Sequence, residues 1–316
     1  MGDRASKPEP VYFGGQAVLE GVMMRGANTW AVAARKEDGE IEIVVHDVPR
    51  WSEKYRHIPL VRGIASLRES LSLGYRALTW SANQQMPPDE QVPEKAMGWT
   101  IVIAVAFFSA LFLVIPALAG RDIGHTFDFM PGHLAEGALR LVIFVAYLSL
   151  ISLIKDIRRV FQYHGAEHKT IAAYENGAEL TPEAAQRFTT AHVRCGTNFM
   201  LTVMVVAIGV YTFVPTHTVL QTVASRIVLI PLIAGLSYEV IRLAAKNMHR
   251  RSVRVLMTPG LWLQRLTTRE PSLDQLEVAI ASLRAVLSAD QLAEVEARVP
   301  LPIAQPAPAP APAFGA

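Results

Sequence analysis

Residues 98–120 read Gly-Trp-Thr-Ile-Val-Ile-Ala-Val-Ala-Phe-Phe-Ser-Ala-Leu-Phe-Leu-Val-Ile-Pro-Ala-Leu-Ala-Gly, and they set the class of the protein. These 23 residues contain no charged side chain. About 20 apolar residues are enough for a helix to cross the roughly 30 Å hydrocarbon core of a bilayer. We therefore expect a transmembrane helix here, and the alternative is a buried helix of a large soluble core.

Three more apolar stretches follow, at 134–154, 198–215 and 227–245. The second stretch of the four carries Glu136 and Arg140 near one end, and the fourth is interrupted by Glu239 and Arg242. For each stretch the alternative is again a buried core helix. The sequence thus predicts an α-helical integral membrane protein with four transmembrane helices within residues 98–245.

Composition excludes several other classes of protein. The chain has 316 residues, of which 51% are hydrophobic and 18% charged, with a mean hydropathy of +0.25. A typical soluble domain has about 25% charged residues, so an ordinary soluble enzyme, a disordered chain and a fibrous repeat are all disfavoured. The single cysteine excludes a disulfide framework, and a net charge of +2 implies no affinity for nucleic acid.

The distribution of positive charge predicts the topology, because cytoplasmic loops carry the excess of Lys and Arg. Segments 1–97, 155–197 and 242–316 contain 27 of the 30 Lys and Arg residues. Four spans with both termini in the cytoplasm place all three segments on one side. The expected location is therefore the plasma membrane, crossed several times, with the lipid bilayer as the immediate partner.

The soluble parts divide into short units. Asp38-Gly39 between alternating apolar residues predicts a hairpin, and a further strand is expected within Gln16–Arg25. In the helix that follows, helical spacing forms an apolar stripe of Leu60, Ile64, Leu67, Leu71, Tyr75 and Leu78, and Arg62, Glu69 and Arg76 fall on the opposite face. This helix either lies in the membrane interface or packs on the β unit. Further along, Thr181-Pro182 predicts the start of a short helix that continues to about Thr190, and Ser272 and Ser288 each begin a capping-box pattern. The predicted order is a disordered leader at 1–10, a β-rich unit at 11–57, an amphipathic helix at 58–82, the membrane domain with cytoplasmic loop 155–197, cytoplasmic helices at 246–299 and a disordered Ala/Pro tail at 300–316.

Two histidines and a glutamate in the cytoplasmic loop suggest metal chemistry. His164 and His168 are one helical turn apart, about 40° apart around the axis, so both can bind one metal ion. Glu167 projects to the same side and could accept a proton from water activated by the metal. His-x-x-Glu-His is the inverted zincin pattern. The alternative is a solvated polar face with Glu167 paired to a neighbouring cation.

A mononuclear site needs a third protein ligand. His192 and Cys195, just before the third span, offer the imidazole and thiolate that zinc accepts, although Cys195 could equally be a small buried residue. Glu175 lies on the face of the histidines but about 10 Å further along a helix. Glu239, an intramembrane carboxylate and so a functional-site hypothesis, ranks below His192 and Cys195.

Four segments together resemble the YqhQ-like bacterial membrane family, over about residues 12–290. They are Gly-Gly-Gln-Ala-Val-Leu-Glu-Gly-Val-Met-Met-Arg-Gly at 14–26, Tyr-His-Gly-Ala-Glu-His-Lys at 163–169, His-Val-Arg-Cys-Gly-Thr-Asn at 192–198 and Leu-Ser-Tyr-Glu at 236–239. The resemblance implies a protein of the bacterial inner membrane, described as a metal-dependent enzyme of unknown function, and it implies no substrate.

Two functions therefore remain open. The first is a hydrolase at the cytoplasmic face, with a divalent metal, preferably zinc, on His164, His168 and His192 or Cys195, and with Glu167 as general base. Its substrate or protein partner would be associated with the membrane. The second is a non-catalytic scaffold, assembly factor or transporter, in which the histidines are structural or sensing and Glu239 could lie on a transport path. The sequence leaves the oligomeric state open.

Overall fold

The computed structural model of the protein describes residues 13–49, 53–87, 91, 94–126, 131–214 and 218–298. The predicted leader at 1–10 and the predicted tail at 300–316 lie outside these residues. Within the described residues the chain is mostly helical, with one small antiparallel sheet near the N-terminus.

The sheet has four strands in sequence order: β1 (Gly14–Val18), β2 (Gly21–Arg25), β3 (Thr29–Arg35) and β4 (Ile41–Asp47). The predicted β3–β4 hairpin is confirmed, and Gly39 takes the positive φ of 89° that its turn requires. The single strand expected within Gln16–Arg25 is instead a hairpin of β1 and β2. Its turn was not predicted because the left-handed position is occupied by Glu20, with φ 51°, rather than by glycine.

Helices cover both faces of the sheet, as the two-residue alternation of strand side chains requires. On one face, Val22 and Ala33 join a buried cluster with residues of α5 (Lys155–Glu175) and α11 (Leu273–Arg284). On the other face, Trp30 packs with residues of α1 (Val61–Gln84). The sheet therefore connects α1 to the segment that carries the two histidines.

Helix α1 presents its predicted apolar stripe outward. Ile64, Leu71 and Leu78 are exposed, with Leu71 at 66%. The face predicted to be polar packs against protein instead: Glu69, 2% exposed, pairs with Arg25 of β2, and the guanidinium of Arg76 lies 5.1 Å from the centre of the Trp30 ring. The side of α1 that binds protein is thus fixed by ion pairs and small residues.

Two helical stretches are long and apolar enough to cross a membrane, and a bent pair makes up to three, within the described ranges. The first runs through α2 (Glu94–Ser109), a π-helical turn and α3 (Ile115–Thr126), and the second is α4 (Gly132–Ile151). The bent pair is α8 (Val219–Val228) and α9 (Ile230–Lys246), at 46° to each other. Helix α7 (Gly196–Thr212) is apolar but only 17 residues long.

A buried ion network joins these apolar helices. Pro116 has no N–H to donate to the carbonyl of Phe112 four residues earlier, and Arg140 of α4 donates its Nε to that oxygen at 2.8 Å. The same guanidinium bonds Glu136, which also accepts from Arg226 of α8. Glu136, Arg140 and Arg226 are each at most 5% exposed. The network therefore gives each buried charge an opposite partner, which offsets part of the cost of placing these groups in apolar surroundings.

Three of the remaining helices begin where the sequence predicts. Ser272 and Ser288 each form a capping box with the glutamine three residues later. The side chain of Thr181 caps the short helix α6 (Pro182–Ala185), which ends earlier than the predicted Thr190. The last elements are α10 (Arg251–Thr267), α11 and α12 (Ala289–Glu296).

Candidate metal centre

Helix α5 supplies both histidines on one face. It ends at Glu175, where Gly177 adopts a φ of 70° and the N–H of Ala178 returns to the carbonyl of Ala173. The imidazole rings of His164 and His168 lie 4.5 Å apart between centroids. Helical spacing thus produces the predicted pair.

Cys195 completes a group of three donors. Its Sγ lies 3.3 Å from Nε2 of His164, and one donor atom from each of His164, His168 and Cys195 lies within 4.8 Å of the others. His168 is 2% exposed and Cys195 is 5% exposed. These three atoms could bind one metal ion, and the residues come from two separate elements.

The orientation of both imidazoles suits a metal. Nδ1 of His164 lies 2.8 Å from the carbonyl oxygen of Thr267, and Nδ1 of His168 bonds that of Thr190. A carbonyl only accepts, so each Nδ1 must carry the proton and each Nε2 keeps its lone pair. Metal-bound histidines commonly have this arrangement. Burial lowers the pKa of His168, which favours the neutral form that a metal requires.

The turn before α7 places Cys195. Gln264 of α10, 1% exposed, accepts from the N–H of His192 at 2.9 Å and donates to its carbonyl at 2.8 Å. The N–H of Cys195 then bonds the carbonyl of His192, and Cys195 becomes the residue that precedes α7. These two hydrogen bonds from Gln264 therefore fix the loop that carries the thiol of Cys195.

His192 adjoins the three donors without belonging to the group. Its ring centroid is 5.4 Å from that of His168, and its Nε2 is 4.0 Å from a carboxylate oxygen of Glu175. Glu175 also accepts from Arg194. Burial opposes the charge of Glu175, but His192 and Arg194 together lower the pKa of its carboxyl. The predicted ligands His192 and Glu175 thus lie together beside the cluster.

Glu167 is buried against the N-terminal sheet. It is 6% exposed, and the backbone of Gly15 lies against its side chain. A Cβ on Gly15 would lie 2.7 to 2.9 Å from Cγ, Cδ and Oε1 of Glu167, so any side chain at position 15 would displace the carboxylate of Glu167. Burial raises the pKa of Glu167, opposed by His164, His192 and the Gly15 backbone.

The Gly-Gly-Gln motif at 14–26 holds the sheet against two helices. Glu20 accepts from Arg159 and from the hydroxyl of Tyr163, both on α5. Arg25 bonds Glu69 on α1. Glu20 and Arg25 therefore bind two separate helices, which the spacing of residues along the strands could not indicate.

Glu239 lies elsewhere and has its own partners. It accepts two bonds from Arg62 and one from the N–H of Leu60, at the start of α1. Among the described residues, the neighbouring Arg242 forms no hydrogen bond or ion pair with Glu239. The described geometry thus assigns Glu239 to the α1–α9 contact and not to the histidine–cysteine cluster.

Sequence reasoning missed the supports of the cluster. The Thr190 and Thr267 carbonyls belong to the backbone and leave no signature in the sequence. Gly165 allows α5 to approach the segment after α10, because a Cβ there would lie 2.1 Å from the carbonyl oxygen of Arg269. A glycine between two histidines on a helix was the signal that could have indicated this close contact.

These features define the class of the protein. It is mainly helical, with helices long enough to cross a membrane and a buried histidine–cysteine cluster beside a small sheet. The chain belongs to the family described as "Protein of unknown function (DUF1385)", whose pattern matches residues 58–289. It is 34% identical over 304 residues to "Uncharacterized protein YqhQ" of Bacillus subtilis (strain 168), covering 90% of this chain and 95% of that protein. The predicted family is confirmed. No solved structure matches the chain.

Proposed function

We propose that the protein is a metal-dependent hydrolase at the cytoplasmic face of the bacterial inner membrane. The observation that carries the proposal is the group of His164, His168 and Cys195, in which both imidazoles are held by backbone carbonyls with Nε2 free. A buried carboxylate, Glu167, lies one residue before His168. Together these residues supply ligands and a proton acceptor.

The donor set fits zinc. Two imidazoles and one thiolate are ligands that zinc accepts, and three protein ligands with one open position is the pattern of catalytic zinc sites. A zinc ion held in this way would supply a Lewis acid and would lower the pKa of a water molecule at the open position to about 7.

The chain's own residues would then perform the proton chemistry. Glu167 would take a proton from the attacking water and return it to the leaving group, as a general base with a raised pKa can do near neutral pH. The backbone of Gly15 would orient its carboxylate. The Thr190 and Thr267 carbonyls would keep the two imidazoles in the correct tautomer.

The proposed membrane placement has four spans, corresponding to α2–α3, α4, α7 and the bent pair α8–α9. It is supported by the segregation of Lys and Arg and by the two helices of sufficient length and hydropathy. On the opposite side, Glu136 pairs with two of the three remaining arginines, Arg140 and Arg226. Both termini and the histidine–cysteine cluster would be cytoplasmic.

A second candidate function is a structural or sensing metal site in a non-catalytic membrane protein. The deep burial of His168 and Cys195 favours it, because a closed site with four protein ligands stabilises a fold without presenting metal to a substrate. His192, whose ring lies beside His168, is the fourth ligand that this candidate would use.

X-ray absorption at the zinc edge separates the two candidates. For the purified, zinc-loaded protein the hydrolase proposal expects one sulfur and two imidazole nitrogens, with a further light atom that does not belong to an imidazole. His192→Ala should leave the number of imidazoles at two. A third imidazole in the wild type that disappears in His192→Ala would contradict the open position and favour the structural site.

A further inference from the structure

A cationic cavity lies between α1 and α9, on the side of α9 that is proposed to face the cytoplasm. Its volume is about 190 Å3, more than roughly ten times what one enclosed water molecule needs. Arginine predominates among the residues that line it: Glu53, Arg56, Arg62, Ser66, Tyr238 and Arg242. The cavity combines guanidinium groups with two hydroxyls, which is a set of donors suited to a phosphate group.

The cavity keeps a net positive charge after the ion pairs among its own residues are counted. Arg62 is bonded to Glu239 in a two-pronged pair, which fixes its position and neutralises its charge. Arg56 donates its Nε to Nε2 of the neighbouring His57 at 3.0 Å, and no carboxylate pairs with it among the described residues. Arg242 makes no hydrogen bond to Glu239 and interacts with it only by electrostatic attraction. The three arginines of the cavity are accompanied by two carboxylates, Glu53 in its lining and Glu239 bound to Arg62. One positive charge therefore remains, and a bound anion would neutralise it.

The position of the cavity corresponds to the headgroup level of a bilayer. Arg242 lies four residues before Lys246, the last residue of α9, which is about 6 Å along the helix. Helix α10 then begins after Arg250 and carries Arg251 and Arg254. Under the proposed topology this basic end of α9 faces the anionic cytoplasmic leaflet, whose surface attracts such residues.

Apolar side chains flank the cavity on the outer surface. On α1, the exposed Ile64 follows Arg62 and begins the stripe that continues through Leu71 and Leu78. On α9, Val240 is 41% exposed and Leu243 is 66% exposed, one residue beyond Arg242. A soluble phosphate would use the arginines alone, whereas a phospholipid would also cover these apolar residues with its acyl chains.

We infer that the cavity binds the phosphate of an anionic phospholipid from the cytoplasmic leaflet, with Arg56 and Arg242 as the ligands of the phosphate and the stripe of α1 lying in the membrane interface. The inference rests on the membrane placement proposed above but not on metal binding. The bound lipid would hold α1, and through it the sheet that contacts Glu167, against the membrane.

Native mass spectrometry of the full chain in detergent tests the inference. The protein is incubated with phosphatidylglycerol or with phosphatidylcholine, and the retained lipid is counted. We expect preferential retention of phosphatidylglycerol, and Arg242→Gln should reduce that preference about fivefold, as expected for one arginine at a membrane surface. The matched control is Arg284→Gln, an exposed arginine of α11 outside the cavity and outside the basic end of α9, which should retain the wild-type preference.

Several results would overturn the inference. They are equal retention of the two lipids by the wild type, an equal loss in Arg284→Gln, and displacement of the lipid by inorganic phosphate at concentrations that leave other bound lipids in place. If Arg242→Gln does not fold, Arg56→Gln decides the question in the same assay. Because zinc content is measured separately, failure of the lipid site is distinguishable from failure of the metal site.

Discussion

Gly15 is the residue at which the sheet and the candidate metal centre meet. Its missing side chain lets the backbone of β1 approach Glu167, and that backbone opposes the rise in the pKa of Glu167 that burial causes. Nothing lies within 4 Å of a Cβ on the adjacent Gly14. The two glycines, indistinguishable in the sequence, therefore have different roles.

Gly15→Ala should destabilise the protein by about 1–3 kcal/mol, the usual cost of an added methyl group where there is no room. Gly14→Ala is the matched control and should change stability by less than about 0.5 kcal/mol. Thermal unfolding in detergent measures both. Equal midpoints for the two variants would show that the close contact of Gly15 with Glu167 does not constrain the fold.

A substitution can distinguish the proposed role of Glu167, accepting a proton, from that of the metal ligands. Glu167→Gln preserves the size of the side chain but cannot take a proton at neutral pH. We expect this variant to retain zinc and to fail to complement a strain that lacks the gene, whereas His168→Ala should lose both properties. Zinc is measured by elemental analysis of the purified proteins.

Two outcomes of that comparison would revise the role of Glu167. Loss of zinc as complete as in His168→Ala would make Glu167 a ligand or an essential support of one. Full complementation by Glu167→Gln would remove the general base and favour the structural site.

Element boundaries followed the sequence closely where local chemistry controls them. Both serine capping boxes and the Asp-Gly hairpin formed as predicted, because each depends on residues within one turn. The orientation of α1 could not be predicted in the same way. Its protein-facing side depends on Arg25 and Glu239, which are distant in the sequence.

Glu136 connects two of the apolar helices and can be tested as an element-level contact. Glu136→Gln leaves Arg140 and Arg226 buried without a carboxylate, and we expect a loss of about 3–5 kcal/mol, the usual cost of an unpaired buried charge. Glu277→Gln is the control, because its pair with Arg35 is exposed and should contribute less than about 1 kcal/mol. Thermal unfolding in detergent measures the stability of both variants. If both lose less than about 1 kcal/mol, the ion network does not hold α4 to α8.

At the scale of the whole molecule, the proposed topology makes a direct prediction. Reporter fusions after residues 90, 175 and 260 should report the cytoplasm, and fusions near 127 and 217 should report the opposite side, because 27 of 30 basic residues lie in the three segments proposed to be cytoplasmic. An external report at 175 would contradict both the four-span arrangement and a cytoplasmic metal centre.

The candidate site was predictable only in part. The pair His164 and His168 follows from helical spacing, and Cys195 was one of two residues considered from the next segment. The choice between Cys195 and His192 depends on a loop held by Gln264 from a helix 72 residues further along the chain. A contact of that range has no local pattern in the sequence.

The most direct test of the central claim is the zinc content of the full-length protein, purified without chelators. The wild type should contain about one zinc per chain, and His164→Ala, His168→Ala and Cys195→Ser should each lose most of it while remaining folded in the membrane. His249→Ala, an exposed histidine outside the cluster, should retain the wild-type content. Stoichiometric zinc that survives all three cluster substitutions, or a wild type that binds none when zinc is supplied, would contradict the account.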